Sequence, residues 1–359
     1  MTRPILAPAA GATILRCRRL FITEPGAVEL LDDELPPLFD HDVYATTVLS
    51  GISHGTELAW LRGTAAALHR TWDPQRRLYL DGPGRAYPVA PGYESIAEVA
   101  AIGRDVSGVR VGELIAVDGP HASGHVLHER SAVAGRLPAG VTAEQAVFFI
   151  LARVALGGVH DASLLLGESV VVMGLGTVGL LAAQQAQLGG AAVIGVDRYP
   201  LRVQAAETLG IHALLADGTD IAAQVRDRVG PDGADAAIEA SGSLQGLHEA
   251  IRCLRKGGRV ATVASYHGDQ AGLRLGEEYH RNRITILSSM TINDCPARSH
   301  PLWTRDRLDA TARAQITDGR VRTDGLISHR IPFTDAPDAY RLLLDRPQDT
   351  IKVVLTYDH

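Results

Sequence analysis

Hydrophobic and polar positions along the chain follow two rhythms. From about Cys17 to Arg62, short apolar runs rich in β-branched residues, Val43–Leu49 among them, are broken by turns and predict an all-β region. Similar runs return at Ser95–Ile102, Glu113–Val117 and Gly124–His128, each bounded by glycine or charged residues. Between the two groups, Thr64–Tyr87 is polar, holds Pro74, Pro83 and several arginines, and has no clean period. Such a stretch reads as a long loop or lid.

After Ala143 the period changes. Ala143–Gly158 has helical spacing, and Ser169–Met173 is a short, continuously apolar run, the pattern of a parallel strand buried on both faces. A glycine turn and helix follow at Gly174–Gly189. Then come strand Ala192–Val196, helix Tyr199–Leu209, strand Ala213–Leu215, helix Ile221–Val229, strand Ala236–Glu239, helix Leu244–Leu254, and strands Arg259–Val263 and Ile284–Ser288. This alternation predicts an α/β fold built on a doubly wound parallel sheet. The tail, with helices Arg305–Thr317 and Ala336–Leu344 and a last strand Ile351–Thr356, is expected to return to the first domain. The nucleotide-binding domain, 149–289, would then be an insertion between 1–148 and 290–359.

With 359 residues the chain exceeds what one hydrophobic core usually serves, which supports two domains. Its 41 acidic and 35 basic residues give a net charge of −6 with no dense basic run, so nucleic acid is not an expected partner. No membrane span or secretion signal is expected, and the predicted location is cytoplasmic. Cys17, Cys253 and Cys295 are far apart, which fits a reducing compartment and supplies no paired-cysteine metal clip.

The chemistry begins at Gly174-Leu175-Gly176-Thr177-Val178-Gly179, directly after the apolar strand and opening a helix. The first glycine permits the tight turn, the second lets backbone approach a pyrophosphate, and the third allows close packing of helix on strand. Free amides at the helix N-terminus would then meet the phosphates. Asp197 ends the next strand, eighteen residues after Gly179, where a carboxylate can accept from the ribose hydroxyls. A 2′-phosphate beside it would be repelled by about 1–4 kcal/mol, so NAD is the expected cofactor. Arg198 and Arg202 pull the other way, since either could pair with that phosphate. Ser241 and Ser265 complete the expected cofactor-binding set.

Five blocks resemble the medium-chain alcohol dehydrogenase superfamily: Gly112–Val117, Gly167–Gly174, Ile238–Gly242, Leu254–Val260 and Ile351–Leu355. The resemblance implies a GroES-like, mainly β catalytic domain, a Rossmann domain, a cleft between them and a homodimer or homotetramer. Zinc-containing members carry a cysteine after a Gly-Ile pair, a Gly-His-Glu motif and a further cysteine or glutamate. Here the matching stretches read Gly51-Ile-Ser-His-Gly-Thr-Glu57, Gly92-Tyr-Glu94 and an apolar Phe148-Phe-Ile-Leu151. Cysteine has become Ser53, or His54 on a shifted alignment, and histidine has become Tyr93. The four-cysteine lobe is missing as well, so no metal is expected. Ser50–Glu57, Pro91–Ser95 and Pro120-His121 are similar to the zinc-lacking branch that contains bacteriochlorophyllide a dehydrogenase.

Without a metal, charge developing on the substrate oxygen needs hydrogen-bond donors and an acid/base group. Tyr93 and His54 are the first candidates, followed by Ser53, Glu57, Glu94 and His121. A phenol would need its proton affinity lowered to act as a base, whereas an imidazole starts near neutrality. Glu57 reads more readily as a structural carboxylate, and Ser53 as a turn residue satisfying backbone groups. The expected activity is NAD-dependent interconversion of a secondary alcohol and a ketone on a small metabolite such as a cyclitol, sugar or natural-product intermediate. Enoyl or quinone reduction with NADPH, and nucleotide binding without catalysis, are the alternatives.

Overall fold

Ser169–Met173 shows why the nucleotide-binding half folds as it does. Val170 and Val172 enter one apolar cluster while Val171 and Met173 enter another on the opposite face, so every residue of that run after Ser169 is buried. The computed structural model describes residues 15–268, 270–290 and 303–358; Cys295 and the chain start lie outside them. The central strand has Ala192–Asp197 and then His212–Leu215 on one side, and Ala234–Glu239, Leu254–Thr262 and Thr285–Ser288 on the other, all parallel. The order reverses between Ser169–Met173 and Ala234–Glu239. A crevice opens beyond the strand ends at such a reversal, and ligands of doubly wound sheets bind there.

The second sheet is built on Asp42–Gly51, whose residues alternate between half-buried and buried positions until the run is fully enclosed at Ser50. It pairs antiparallel with Ser95–Ile102, Gly124–His128 and the C-terminal strand Lys352–Thr356. Leu114–Val117 and Ile327–Pro332 extend the sheet at its two ends. The strands of the tail therefore return to this sheet, built from the first part of the chain, in a register that sets Val354 opposite Gly51 and Leu355 opposite Ser50.

Two expectations are corrected. The region to Arg62 is not all β: His54–Leu61 is a helix that buries Glu57, Leu58, Ala59 and Leu61. Glu57, in its first turn, takes the amide of the N-cap Ser53, an interaction that an alternation-based reading does not register. In the Thr64–Tyr87 excursion, whose structure the sequence leaves open, the chain is folded. It forms a helical turn, Ala66–His69, and a hairpin of Arg70–Asp73 with Leu78–Asp81, on which Trp72 and Tyr79 meet edge to face. By length and composition alone, residues 143–161 could cross a membrane, contrary to the expectation of no span; in the fold 72% of that window is buried in the core.

Packing at two glycines separates required from tolerated positions. A Cβ on Gly179 would fall 1.8 Å from the Gly174 carbonyl oxygen, whereas one on Gly55 would meet nothing within 4 Å. Gly179→Ala is therefore expected to destabilise the protein by at least about 1–3 kcal/mol. Gly55→Ala, in a helix, should leave stability unchanged or raise it by up to about 1 kcal/mol. Urea denaturation of the two variants checks the contrast, and equal effects would contradict it.

Candidate functional site

At the crevice of the parallel sheet, Gly174 turns the chain with φ +93°, and a Cβ there would lie 2.7 Å from the Ser241 amide nitrogen. The helix Thr177–Leu188 opens just beyond, with Gly176 at its N-cap and no side chain bonding the first amides. Asp197 is buried at the end of its strand. Its Oδ2 accepts the Leu175 amide at 2.7 Å and its Oδ1 the Tyr199 amide at 2.9 Å, so the acid also shapes the glycine loop. Arg202 donates to the carbonyls of Thr350 at 3.0 Å and Pro347 at 3.2 Å and keeps Nη1 3.8 Å from Asp197, at the glycine loop. The guanidinium groups of Arg198 and Arg202 lie 4.7 and 4.9 Å from the Tyr199 ring centre. At the next strand end, buried Glu239 accepts from Ser241 and, at 2.6 Å, from the Tyr266 hydroxyl. The Ser265 carbonyl closes on Gly242, where a Cβ would approach to 3.3 Å. Open helix amides, a bare glycine cradle and an acid at the second strand end fit a nicotinamide dinucleotide.

Across from this cradle, three strand ends converge. Gly51 donates its amide to the Glu94 carbonyl at 2.9 Å, and the C-terminal strand brings Lys352 against both. A Cβ on Gly51 would come within 2.6 Å of the Lys352 side chain and 2.8 Å of Val147, so only glycine leaves the lysine room. Fully buried, Lys352 donates to Glu94 Oε2 at 2.6 Å and to the Ile52 carbonyl at 3.0 Å. Burial pushes the Glu94 carboxyl up to about 7, against the pull of the ammonium, and its Oε1 is buried without a partner.

Tyr93 and Ser53, beside this pair, are hydrogen-bonded to each other through their hydroxyls. Burial, and then the charge of Glu94, raise the Tyr93 pKa, while the hydroxyls of Ser53 and exposed Thr56 draw it back. The phenol is thus tuned to keep its proton, opposite to what a base would need. Ser53 does not cap its helix; Glu57 takes the Ser53 amide and frees the hydroxyl for Tyr93. His54 has a buried Nε2 without a partner. Its pKa lies well below the usual imidazole value because of burial, then the charges of Lys352 and Arg202.

Glu57 and His121 do not join the reacting pair. They form a fully buried network behind it: His121 Nε2 meets Glu57 Oε2 at 3.0 Å, and the Tyr340 hydroxyl donates to the same oxygen. His121 Nδ1 faces Ser50 Oγ at 2.7 Å, which meets the Tyr357 hydroxyl at 2.9 Å. Since a carboxylate only accepts, Nε2 is the donor in that bond. Burial alone would raise the Glu57 pKa, but His121, Tyr340 and the Ser53 amide outweigh it and hold it below the ordinary value.

The third position in the zinc pattern falls on buried apolar residues, Phe148, Phe149 and Leu151. Two mutually bonded hydroxyls and an apolar wall do not fit a zinc ion, which is held by thiolates, imidazoles or carboxylates. Sequence reasoning missed Lys352, Tyr340, Tyr357, Ser50 and Thr56. Lys352 carried a signal, being a lysine inside the apolar strand Ile351–Leu355, where a buried charge requires a partner.

Tyr340→Phe removes one donor from the ionised Glu57 and is expected to cost about 1–3 kcal/mol near neutral pH. A carboxylate with a depressed pKa contributes stability above its unfolded value, about 4.3, and loses it as pH falls through the folded value. The cost of the variant should therefore shrink on acidification below that range. Denaturation of wild type and variant between neutral pH and the acid limit of folding tests this, and a pH-independent difference would count against it.

Residues 177–304 match the family model described as "Zinc-binding dehydrogenase". D-guloside 3-dehydrogenase of Escherichia coli is 28% identical over 350 residues, covering 95% of this chain and 100% of that protein. L-galactonate-5-dehydrogenase of the same organism is 26% identical over 304 residues, covering 77% and 85%. Among solved structures, 2R,3R-butanediol dehydrogenase from Bacillus subtilis superposes with a TM-score of 0.75 at 19% identity, covering 95% of this chain and all of that one. These relatives carry the two-domain α/β architecture, a GroES-like domain with a Rossmann domain, that the two sheets display here. In sequence and in fold, the chain is similar to medium-chain, alcohol-dehydrogenase-like proteins.

Proposed function

We propose that this protein is a nicotinamide-dependent dehydrogenase that interconverts a secondary alcohol and a ketone on a sugar- or polyol-type substrate, prefers NAD, and works without zinc. The observation that carries the reading is the Ser53–Tyr93 hydroxyl pair at the position where the related enzymes' motif has metal ligands. The guloside and galactonate dehydrogenases among the relatives support the substrate class.

When bound, the nicotinamide ring would take a hydride from the carbinol carbon or return it to the ketone. The chain's own residues then handle the oxygen. Tyr93, kept protonated by its surroundings, donates to that oxygen and stabilises the charge that builds on it. Ser53 and Tyr93 each donate and accept, so a proton can pass between them, and Thr56 continues the path to solvent. Glu94 and Lys352 position the pair from behind rather than touch substrate. His54 is assigned to the cofactor side. It feels the charges of Lys352 and Arg202, and Arg202 Nη1 would lie only 3.8 Å from a Cβ on Gly176 in the glycine loop. A neutral, unpartnered imidazole there can hydrogen-bond the dinucleotide without adding charge.

Tyr93→Phe and Ser53→Ala are expected to lower kcat by about 10²–10⁴-fold while leaving the KM for NAD near wild type. His54→Ala should instead raise the KM for NAD with a smaller change in kcat. Steady-state kinetics with an alcohol identified from a panel of sugars and polyols makes the comparison. Near-wild-type turnover by both Tyr93→Phe and Ser53→Ala, or activity abolished by chelation and restored by zinc at this site, would overturn the reading.

For the cofactor, kcat/KM with NAD should exceed that with NADP by about tenfold or more, one factor of ten corresponding to about 1.4 kcal/mol of the expected repulsion at Asp197. Parallel assays with both cofactors check it, and equal efficiencies would remove the assignment.

A further inference from the structure

On the nucleotide-binding domain, His248 sits on the helix Leu244–Arg252, and Glu277 and Glu278 on the short turn Leu275–Tyr279 that packs beside it. His248 is 1% exposed, yet neither ring nitrogen has a hydrogen-bond partner. An imidazole always has at least one N–H to donate, so burying both nitrogens unmatched is unfavourable unless something else satisfies them. The ring is not far from acceptors: Nε2 points at Glu277 Oε2 from 3.8 Å, too long for a hydrogen bond. Glu278 Oε2 is also buried without a partner. One ligand atom from each of the three residues lies within 4.8 Å of the others.

Charge around the group is unbalanced in the same sense. Arg252 contacts Asp220 at 2.9 Å, Glu249 at 2.8 Å and Glu278 at 3.7 Å, and Arg274 contacts Glu277 at 2.8 Å. Four carboxylates thus face two guanidinium groups, which leaves two negative charges in the cluster. A divalent cation would cancel them and give both unpartnered groups a ligand role.

We propose that His248, Glu277 and Glu278 bind one divalent transition-metal ion of the zinc class, with water completing the coordination on the exposed side of Glu277. One imidazole nitrogen with two carboxylate oxygens suits Zn²⁺ and its spectroscopic substitute Co²⁺. Ligand atoms around such an ion stand roughly 3–4 Å apart, so loading requires only a small contraction of the turn onto the helix. The site is distinct from the Ser53–Tyr93 pair and takes no part in hydride transfer. Its effect is to fasten the turn Leu275–Tyr279. The chain just before that turn lies over the nucleotide crevice, where Tyr266 bonds Glu239 and Gln270 bonds both the Leu244 amide and the Gly242 carbonyl.

Chelator-stripped full-length protein, titrated with Zn²⁺ by calorimetry and with Co²⁺ by visible absorption, tests the proposal. One equivalent should bind per chain, with a Co²⁺ spectrum of nitrogen and oxygen ligation and a higher Tm in the loaded protein. Glu277→Gln and Glu278→Gln should each weaken binding by about tenfold or more, with His248→Asn weakening it further. Glu277 is half exposed, so its variant keeps the test alive if replacing buried His248 prevents folding. Failure of the stripped protein to bind either ion, or stoichiometric binding that survives both glutamate variants, would overturn the proposal. Because the binding readouts do not involve turnover, they stand whether or not the chemistry assigned to Tyr93 is right.

Discussion

A lysine ammonium buried in the last strand organises the catalytic half of the molecule. Lys352 has no access to solvent, and taking such a charge out of water is costly unless its partners are close and well aimed. It finds Glu94 and the Ile52 carbonyl, which flank Tyr93 and Ser53 in sequence. Meeting them fits the register of the C-terminal strand and requires a glycine at position 51. The positions of Ser53 and Tyr93 thus follow from the electrostatic needs of a residue about 260–300 places further along the chain. Removing either member of the ion pair would leave its partner buried and uncompensated, which is why the interaction constrains everything around it.

Behind this pair, the Glu57 network works differently. Its carboxylate gathers a backbone amide, an imidazole and a phenol, so that charge is spread over three donors rather than met by one cation. Such a fully satisfied network fixes side-chain positions. The site therefore has a rigid wall of committed polar groups and, in front of it, two hydroxyls that can exchange protons with one another.

How much of this is legible in the sequence depends on the range over which each interaction acts. Alternating strands and helices after Ala143, the glycine loop and Asp197 are local patterns, and the parallel sheet, the Gly174 turn and the return of the tail could be read from them directly. The helix His54–Leu61 was hidden because its start is fixed by a side chain binding a backbone amide four residues earlier, which leaves no trace in hydrophobic alternation. In Thr64–Tyr87 the hairpin is held by cross-strand pairs such as Trp72 and Tyr79, which stay largely exposed and so break the rule that strands hide one face. The carbonyl partners of Arg202, at Pro347 and Thr350, could not be read from sequence, because they lie some 145 residues away and are main chain. Lys352 was visible as an anomaly, but nothing local says which carboxylate it meets.

Contacts between the nucleotide loop and the C-terminal segment have one more implication. Thr177 bonds the Ile351 carbonyl at 2.9 Å, and Arg202 bonds those of Thr350 and Pro347, so at these three contacts the tail supplies only main-chain acceptors. Side-chain replacement in the tail cannot delete these acceptors; only a change at Thr177 or Arg202 removes the bonds. These contacts are consequently insensitive to which side chains stand at positions 347, 350 and 351, and rest on Thr177 and Arg202.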